Sequence, residues 1–320
     1  MKKITIVIPV YNGALTLERT LNSIFVQKHK ELVEQLIIIN DGSSDISQDI
    51  INNFNQNEAL KTTIIHHKKS KGLAASYNEG LTRTSTEYVL TIHQDIVIED
   101  DNAFTKIIEP FNLDAAVVAT FPVLMHSKSL WDTYNFWQKC LFDRHVRRLE
   151  HDLTGKFDCF KTNILKEVNG FDEKHFRTAG EDADLKHKFK LRALKIVSSG
   201  VVVEHAQDNN SKYSLRNLTK KEAQLAEARG VILRRYGMGS LKEFALNFFR
   251  EIILLMLLIP FIQIFGFILV LAYSYTYTKL VFSSRPKDRK LFVLPFVNIY
   301  LLFVNTVYSG IGFVRGRQFI

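Results

Sequence analysis

Only two cysteines occur in 320 residues, Cys140 and Cys159, and they form neither a CxxC pair nor part of a zinc-ligand set. That excludes a disulfide scaffold and a cysteine-based metal centre, and it suits a reducing compartment. No GxGxxG follows the first apolar run, so the dinucleotide fingerprint of many oxidoreductases is missing. The formal charge is +9, yet the basic residues lie in short clusters such as Lys68-Lys69, Arg147-Arg148, Lys220-Lys221 and Arg234-Arg235. None sits in a zinc-finger, RNP or helix-turn-helix pattern, which argues against nucleic acid and for an anionic membrane surface. The N-terminus, MKKITIVIPVYNG, pairs two lysines with an apolar run. The run is short, a turn at Pro9–Gly13 breaks it, and no small-residue cleavage site follows. It is expected to be a buried first strand and not a targeting signal.

What is present is alternation. Ile4–Pro9, Leu36–Asn40, Thr62–His66, Tyr88–His93 and Ala115–Thr120 read as short, nearly unbroken apolar strands. Between them the spacing is helical: Leu17, Leu21, Ile24 and Phe25 share one face, as do Leu73, Tyr77 and Leu81. Strand–helix alternation predicts an α/β fold with a mostly parallel sheet covered by helices.

Past Gly237 the character changes. Ser240–Glu251 mixes apolar and charged positions, as an interfacial helix does. No charged residue occurs from Ile252 to Thr278 or from Leu291 to Val314, and each run is long enough for a bilayer core. The expected organisation is therefore a catalytic domain over 1–237, an interfacial amphipathic helix over 238–251, and a membrane region over 252–320 with hydrophobic segments 252–278 and 291–314. A simple hairpin of the two segments places the basic linker Arg285–Lys290 outside, against the positive-inside tendency. The other path has Ile252–Phe282 dipping in and out, bent near Pro260.

The chemistry-bearing residues cluster at strand ends. Strand one runs into Pro9-Val-Tyr-Asn-Gly13 and strand two into Asn40-Asp41-Gly-Ser-Ser-Asp45. Ligands in open α/β sheets bind beyond the carboxyl ends of strands, and an aspartate there accepts hydrogen bonds from a base or ribose. Ordinary turn chemistry with a helix cap at Ser44 or Asp45 is the plainer account of the second segment. Strand four runs into His93-Gln94-Asp95, which delivers a carboxylate suited to a divalent ion. Further on, Gly170-Phe-Asp-Glu173 precedes Glu181-Asp182, adjacent carboxylates pointing to different sides of a helix start. His205 closes a late strand, and Arg229, Arg234 and Arg235 follow on a helix, either to pair with donor or acceptor phosphates or as a solvated or headgroup-facing cluster.

Together TIVIPVYNG, INDGSSD and KGLAASYNEG (Lys71–Gly80) resemble family 2 glycosyltransferases of the GT-A fold, in order and spacing, from Thr5 to about Tyr236. The resemblance implies a Rossmann-like nucleotide-sugar-binding fold followed by an α-helical membrane region. It also implies an inverting enzyme that moves a sugar from a nucleotide diphosphate sugar, UDP-sugar first, to a membrane-associated acceptor. A lipid-linked glycan is the expected acceptor and a polyprenyl phosphate the alternative; a non-catalytic membrane scaffold is a third reading. By the same resemblance Pro9, Tyr11, Asn12, Asp41, Lys71 and His93 bind the nucleotide sugar. Asp95 and His205 hold a divalent cation, Mn2+ or Mg2+; Asp182 is the general base and Glu181 lies on the acceptor side. His93 stands where the family usually has the first aspartate of Asp-x-Asp. That departure is the one feature favouring the scaffold. Sugar-phosphate nucleotidyltransferases, which have a related fold, carry a glycine-rich Arg-containing loop after strand one, where this chain has Tyr11-Asn-Gly-Ala-Leu-Thr. The expected location is a membrane, multi-pass or re-entrant, with the catalytic domain cytoplasmic.

Overall fold

The structure is a computed structural model that describes residues 3–55, 60–207, 212–238, 241–284 and 287–319. Ser240 and Arg285, at which two of the sequence boundaries fall, lie outside the described residues. In chain order the first elements are β1 (Ile4–Val10), α1 (Leu17–Phe25), β2 (Val33–Asn40), α2 (Ser47–Asn55), β3 (Thr62–His66), α3 (Leu73–Thr82), β4 (Tyr88–Ile92), β5 (Ile96–Ile98), α4 (Ala103–Leu113) and β6 (Val117–Met125). Next come α5 (Lys128–Thr133), α6 (Phe136–Val146), β7 (Glu150–His151), β8 (Phe157–Lys161), α7 (Thr162–Glu167), α8 (Glu181–Leu191) and β9 (Lys195–His205). The rest is helical: α9 (Leu215–Tyr236), α10 (Leu241–Leu258), α11 (Gln263–Tyr277), α12 (Lys279–Ser284) and α13 (Leu294–Arg315). Two compact units result, Met1–Leu130 with Arg148–Asp208, and Trp131–Arg147 with Asn209–Ile320. The second unit thus takes in α6 and α9, which the sequence assigned to the catalytic domain.

The first unit is a sheet in the order β3-β2-β1-β4-β8-β6-β9-β5, with β7 paired to β6. Strands β1 to β4 run parallel, as their apolar runs predicted. Beyond β4 the sheet is mixed: β8 is antiparallel to β4 and β6, whereas β9 is parallel to β6. Successive side chains of β1 enter opposite faces. Ile4, Ile6 and Ile8 pack with Leu21 of α1 and Phe104 of α4, while Val7 packs with Tyr77 and Leu81 of α3 and Phe189 of α8. Both faces are therefore covered, as a buried parallel sheet requires.

Gly80 shows how closely α3 lies on β1, since a Cβ there would meet Val7 Cγ1 at 2.3 Å. Alanine gains about 1 kcal/mol of helix propensity over glycine. Forcing a methyl into this packed contact costs about 1–3 kcal/mol. Gly80→Ala is accordingly expected to lower the urea midpoint; an unchanged or higher midpoint would mean that Val7 yields.

The second unit is helical. Helices α9 and α13 touch backbone to backbone: a Cβ on Gly230 would lie 2.0 Å from the Ser309 carbonyl oxygen, and one on Gly312 would lie 2.0 Å from that of Glu227. Small residues permit such close helix contact. The uncharged run 252–278 is not one helix. It breaks between α10 and α11 at Ile259–Ile262, where Pro260 lacks an N–H and Phe261 sits at φ 73°. Helix α11 then folds back onto α10, with the Cβ position of Gly266 3.0 Å from Leu257 N. Of the two expected paths, the one bent near Pro260 matches this break, and the simple hairpin of two spanning segments does not. Among the described residues only α13, 22 residues long, is long and apolar enough to cross a membrane, so a multi-pass path is not supported. Arg229 also departs from a headgroup-facing role. Its guanidinium turns inward to Glu251 Oε1 and Asn305 Oδ1, both at 2.8 Å.

Candidate active site

The parallel strands end together. Val10 is paired with Asn40, and Val7 with Thr91, so Tyr11, Asp41 and His93 all follow strand ends on one edge of the sheet. Pro9 lies buried within β1 beside Ile39. Pro9, Tyr11, Asp41 and His93 are thus placed by the sheet itself.

The first two motifs clamp each other. Asn12 adopts a left-handed conformation, φ 49°, and its Oδ1 accepts from Ser44 N at 2.8 Å. In return Ser43 Oγ accepts from Asn12 N, Ser47 Oγ from Gly13 N, and Asp45 Oδ2 from Ala14 N. Asp45 Oδ1 also accepts from Ser47 N, so the expected turn-and-cap chemistry is real and coexists with the clamp. Gln94 donates to the Tyr11 carbonyl and accepts from Tyr11 N, which leaves the Tyr11 ring half exposed.

Asp41 is buried and accepts four hydrogen bonds. Oδ1 takes His67 Nδ1 at 2.6 Å and Lys71 N at 2.8 Å; Oδ2 takes Ser70 Oγ at 2.7 Å and Gly72 N at 2.9 Å. Its carboxylate therefore shapes the 67–72 loop in this conformation. His67 continues to Glu79 Oε2 at 2.8 Å, and Lys71 Nζ meets the same oxygen at 3.1 Å. Burial favours the neutral form of Glu79, but bonds from His67, Lys71 and Arg83 outweigh it and lower its pKa to about 2.

Asp95 sits just past β4. Its Oδ2 meets His205 Nε2, at the end of β9, at 3.1 Å, and Gln207 Nε2 also donates to it. Its Oδ1 is buried without a hydrogen-bond partner among the described residues, with His93 Nδ1 3.9 Å away. Burial would raise this carboxyl's pKa. The charges and hydrogen bond of His205, then His93, more than offset burial and hold it well below the usual carboxylate range. Among the described residues no three His, Cys, Asp or Glu side chains form a ready metal centre. The residues still fit a divalent cation that also takes oxygens from its ligand. A buried, ionised carboxylate oxygen lacks a partner beside an imidazole, a donor pair better suited to manganese than to magnesium.

On the other side, α8 begins at Glu181 after Gly180, which is left-handed at φ 90°. Glu181 is buried and Asp182 half buried, so the adjacent carboxylates do point differently. Burial raises the Asp182 pKa against the opposing pull of Lys156. The two sides meet at Tyr77. Its hydroxyl donates to the Gly155 carbonyl at 2.8 Å, and its ring stacks on Phe171 at 5.0 Å and lies 6.1 Å from His93. Burial, then the charges of Glu181, Asp158, Asp95 and Asp182, push its pKa well above the ordinary tyrosine range. Asn78, one residue on, holds Phe171 through two backbone bonds of 2.7 and 2.9 Å. That ties KGLAASYNEG to the Gly-Phe-Asp segment.

Asp158 was not singled out in the sequence, although an aspartate inside the apolar run Phe157–Phe160 was a visible signal. Its Oδ2 accepts from Thr154 N at 3.0 Å and Gly155 N at 2.6 Å, and Oδ1 is buried with no hydrogen-bond partner among the described residues. It fixes the loop whose Gly155 Cβ position lies 3.7 Å from Asp182 Cβ. Burial pushes its pKa up to about 8. Folding then takes up a proton between about pH 4, the unfolded aspartate value, and pH 8. Its contribution is full below pH 4 and is lost as pH rises, by at most about 1.4 kcal/mol per unit. Asp158→Asn is expected to flatten the fall of the urea midpoint between pH 5 and 8; parallel slopes for wild type and variant would contradict this.

Residues 5–167, just over half of the chain, match the model of the family described as Glycosyl transferase family 2. A poly-beta-1,6-N-acetyl-D-glucosamine synthase from Staphylococcus epidermidis is 30% identical over 177 residues, covering 53% of this chain and 42% of that protein. The chain spans less than half the length of such curated relatives. A mannosyltransferase from Pyrobaculum calidifontis, solved with GDP-Man and Mn2+, has a TM-score of 0.60 at 14% identity, covering 96% of this chain and 86% of that one. GalNAc-T7 solved with UDP, GalNAc and Mn2+ has a TM-score of 0.53 at 12% identity, covering 78% of this chain and 54% of that one. At these identities the two structures speak for a shared fold.

Proposed function

The chain belongs to glycosyl transferase family 2, and on that premise we propose that it transfers a sugar from a nucleoside diphosphate sugar to an acceptor hydroxyl with inversion at the anomeric carbon. The observation that carries the reading is the position of Tyr77, whose ring lies 6.1 Å from His93 beside the Asp95–His205 pair and whose hydroxyl donates to Gly155, the residue against Asp182. Tyr11, Asn12, Asp41 and Lys71 line the strand-end edge where a nucleotide sits, with Asp41 acting through the 67–72 loop it organises. Pro9 sets the strand end from inside the sheet, and His93 faces the diphosphate beside Asp95. Asp95 and His205 would hold a divalent cation, which when bound offsets negative charge on the departing diphosphate.

Asp182 takes the acceptor proton. A carboxyl whose pKa is raised by burial is a better base near neutral pH than an ordinary aspartate. This favours a sugar hydroxyl over a phosphate acceptor, which with a second pKa of about 6 is already largely ionised and needs no base. Glu181, beside it, supports the acceptor side. The synthase relative, which makes a glycan polymer, points the same way, toward a lipid-linked or growing glycan. Helix α13 presents Phe296, Phe303, Phe313 and Val314 outward and is proposed as the membrane attachment. Use of nucleotide sugars would place the first unit in the cytoplasm.

The test incubates membranes containing the full chain with a panel of labelled nucleotide sugars, with and without manganese, and follows label into extracted lipid and glycan. Manganese-stimulated transfer from one donor is expected. Absence of transfer from every donor, with intact protein, would leave only the scaffold reading.

A further inference from the structure

We infer that the helical unit carries a separate binding site for a phosphate group, in the cavity between α6, α9, α10, α11 and α13. The cavity is small, about 30 Å3, and partly open to solvent. Arg144, Glu222, Arg250, Tyr273, Tyr277 and Asn298 contribute its polar wall. The rest of the lining includes Leu141, Leu218, Leu294 and Leu302, so the polar groups are concentrated in an otherwise apolar interior.

The wall is rich in donors. Arg144 stacks its guanidinium 3.9 Å from the Tyr277 ring centre and pairs with no carboxylate among the described residues. Arg250 gives Nη2 to the Tyr277 hydroxyl at 3.0 Å, whereas its Nε is buried without a partner. Asn298 is 7% exposed, and its Nδ2 is also unpartnered. Against two guanidiniums and an amide stands one carboxylate, Glu222. The nearby Asp143 is already engaged by Arg147 Nε and by Val281 N. A guanidinium N–H buried without a partner, such as Arg250 Nε, is costly, and planar N–H forks fit phosphate oxygens in pairs. Tyrosine hydroxyls add further donors at the same wall. The ligand class is therefore a phosphate monoester or diester, free or carried by a lipid. The inference does not depend on sugar transfer, and its test needs no activity.

The full chain in detergent is titrated with inorganic phosphate, and separately with phosphatidylcholine vesicles with and without 20 mol % (about one lipid in five) phosphatidic acid, near physiological salt of about 0.15 M. Binding to at least one phosphate source is expected. Saturable binding of inorganic phosphate identifies a free anion; binding only to the phosphatidic acid vesicles identifies a lipid headgroup. Each of Arg144→Gln and Arg250→Gln should weaken it roughly tenfold or more, the loss of a charge-assisted bond. Arg148→Gln, on an exposed residue outside the cavity, should leave it unchanged. Arg144 lacks a carboxylate partner, so its variant keeps the test informative if Arg250→Gln fails to fold. The inference is overturned if neither source binds, or if folded Arg144→Gln binds like wild type.

Discussion

Asp182→Asn is expected to reduce turnover by on the order of 10²–10⁴, the contribution of a positioned general base, while nucleotide binding changes little. Asparagine keeps the shape and can still accept from Ala183 N, as Asp182 Oδ1 does at 2.8 Å. It cannot take a proton. Burial-raised acidity also gives the wild-type profile a direction. As pH falls below the pKa of Asp182 the base is protonated, so transfer declines toward acid, and the rise with pH levels off once it is ionised. Turnover measured across pH 5–9, with nucleotide affinity by calorimetry, separates the two effects. Near-normal turnover in the variant would remove Asp182 from the mechanism and reopen the phosphate-acceptor reading, which needs no base.

Asp95→Ala is the second large effect. It removes the carboxylate that is held ionised by His205 and His93, at the point where charge would accumulate on the leaving diphosphate. Transfer is expected to fall by roughly 10²–10³, the usual cost of deleting one electrostatic stabiliser. Manganese binding, followed by electron paramagnetic resonance on the enzyme without substrate, should weaken in parallel. His205→Ala should weaken manganese binding in the same direction. Manganese affinity that survives Asp95→Ala would mean that the cation, if used, is held elsewhere, and the altered strand-end motif at His93 would then favour the non-catalytic scaffold.

Much of the site was legible because strand ends are legible. Ile4–Val10, the Leu36–Asn40 part of β2 and Tyr88–Ile92 are buried on both faces, so their runs are nearly continuous and their ends are abrupt. The polar residues just beyond fall on one edge of the sheet as a consequence of parallel pairing. The helix start at Glu181-Asp182 was readable for a similar reason, since adjacent positions on a helix diverge. The partners were not readable. Gln94 grips the Tyr11 backbone from 83 residues away, and Gln207 reaches Asp95 across 112. Asn78 holds Phe171 across 93. No local period encodes such pairs.

The membrane end was legible in part, since Pro260 marked where the run could bend. An uncharged run from Ile252 to Thr278 satisfies a length rule, and length says nothing about whether a helix continues through Pro260. The missing N–H and the left-handed Phe261 break it, and α11 packs back on α10.

Sequence alone determined the order of the early strands and the helices between them, the two-faced burial of those strands, and which polar residues stand at their carboxyl ends. Each of these follows from local periodicity and from the need to bury apolar side chains. Tertiary structure decided what those residues do to one another: that Asp41 is committed to its own loop, that Asp95 is ionised against His205, that Asp158 fixes the loop beside Asp182, and that α11 packs back onto α10. Hydrogen-bond partners and charge neighbours are set by distance in space, and the hydrophobic pattern constrains that distance only through the fold.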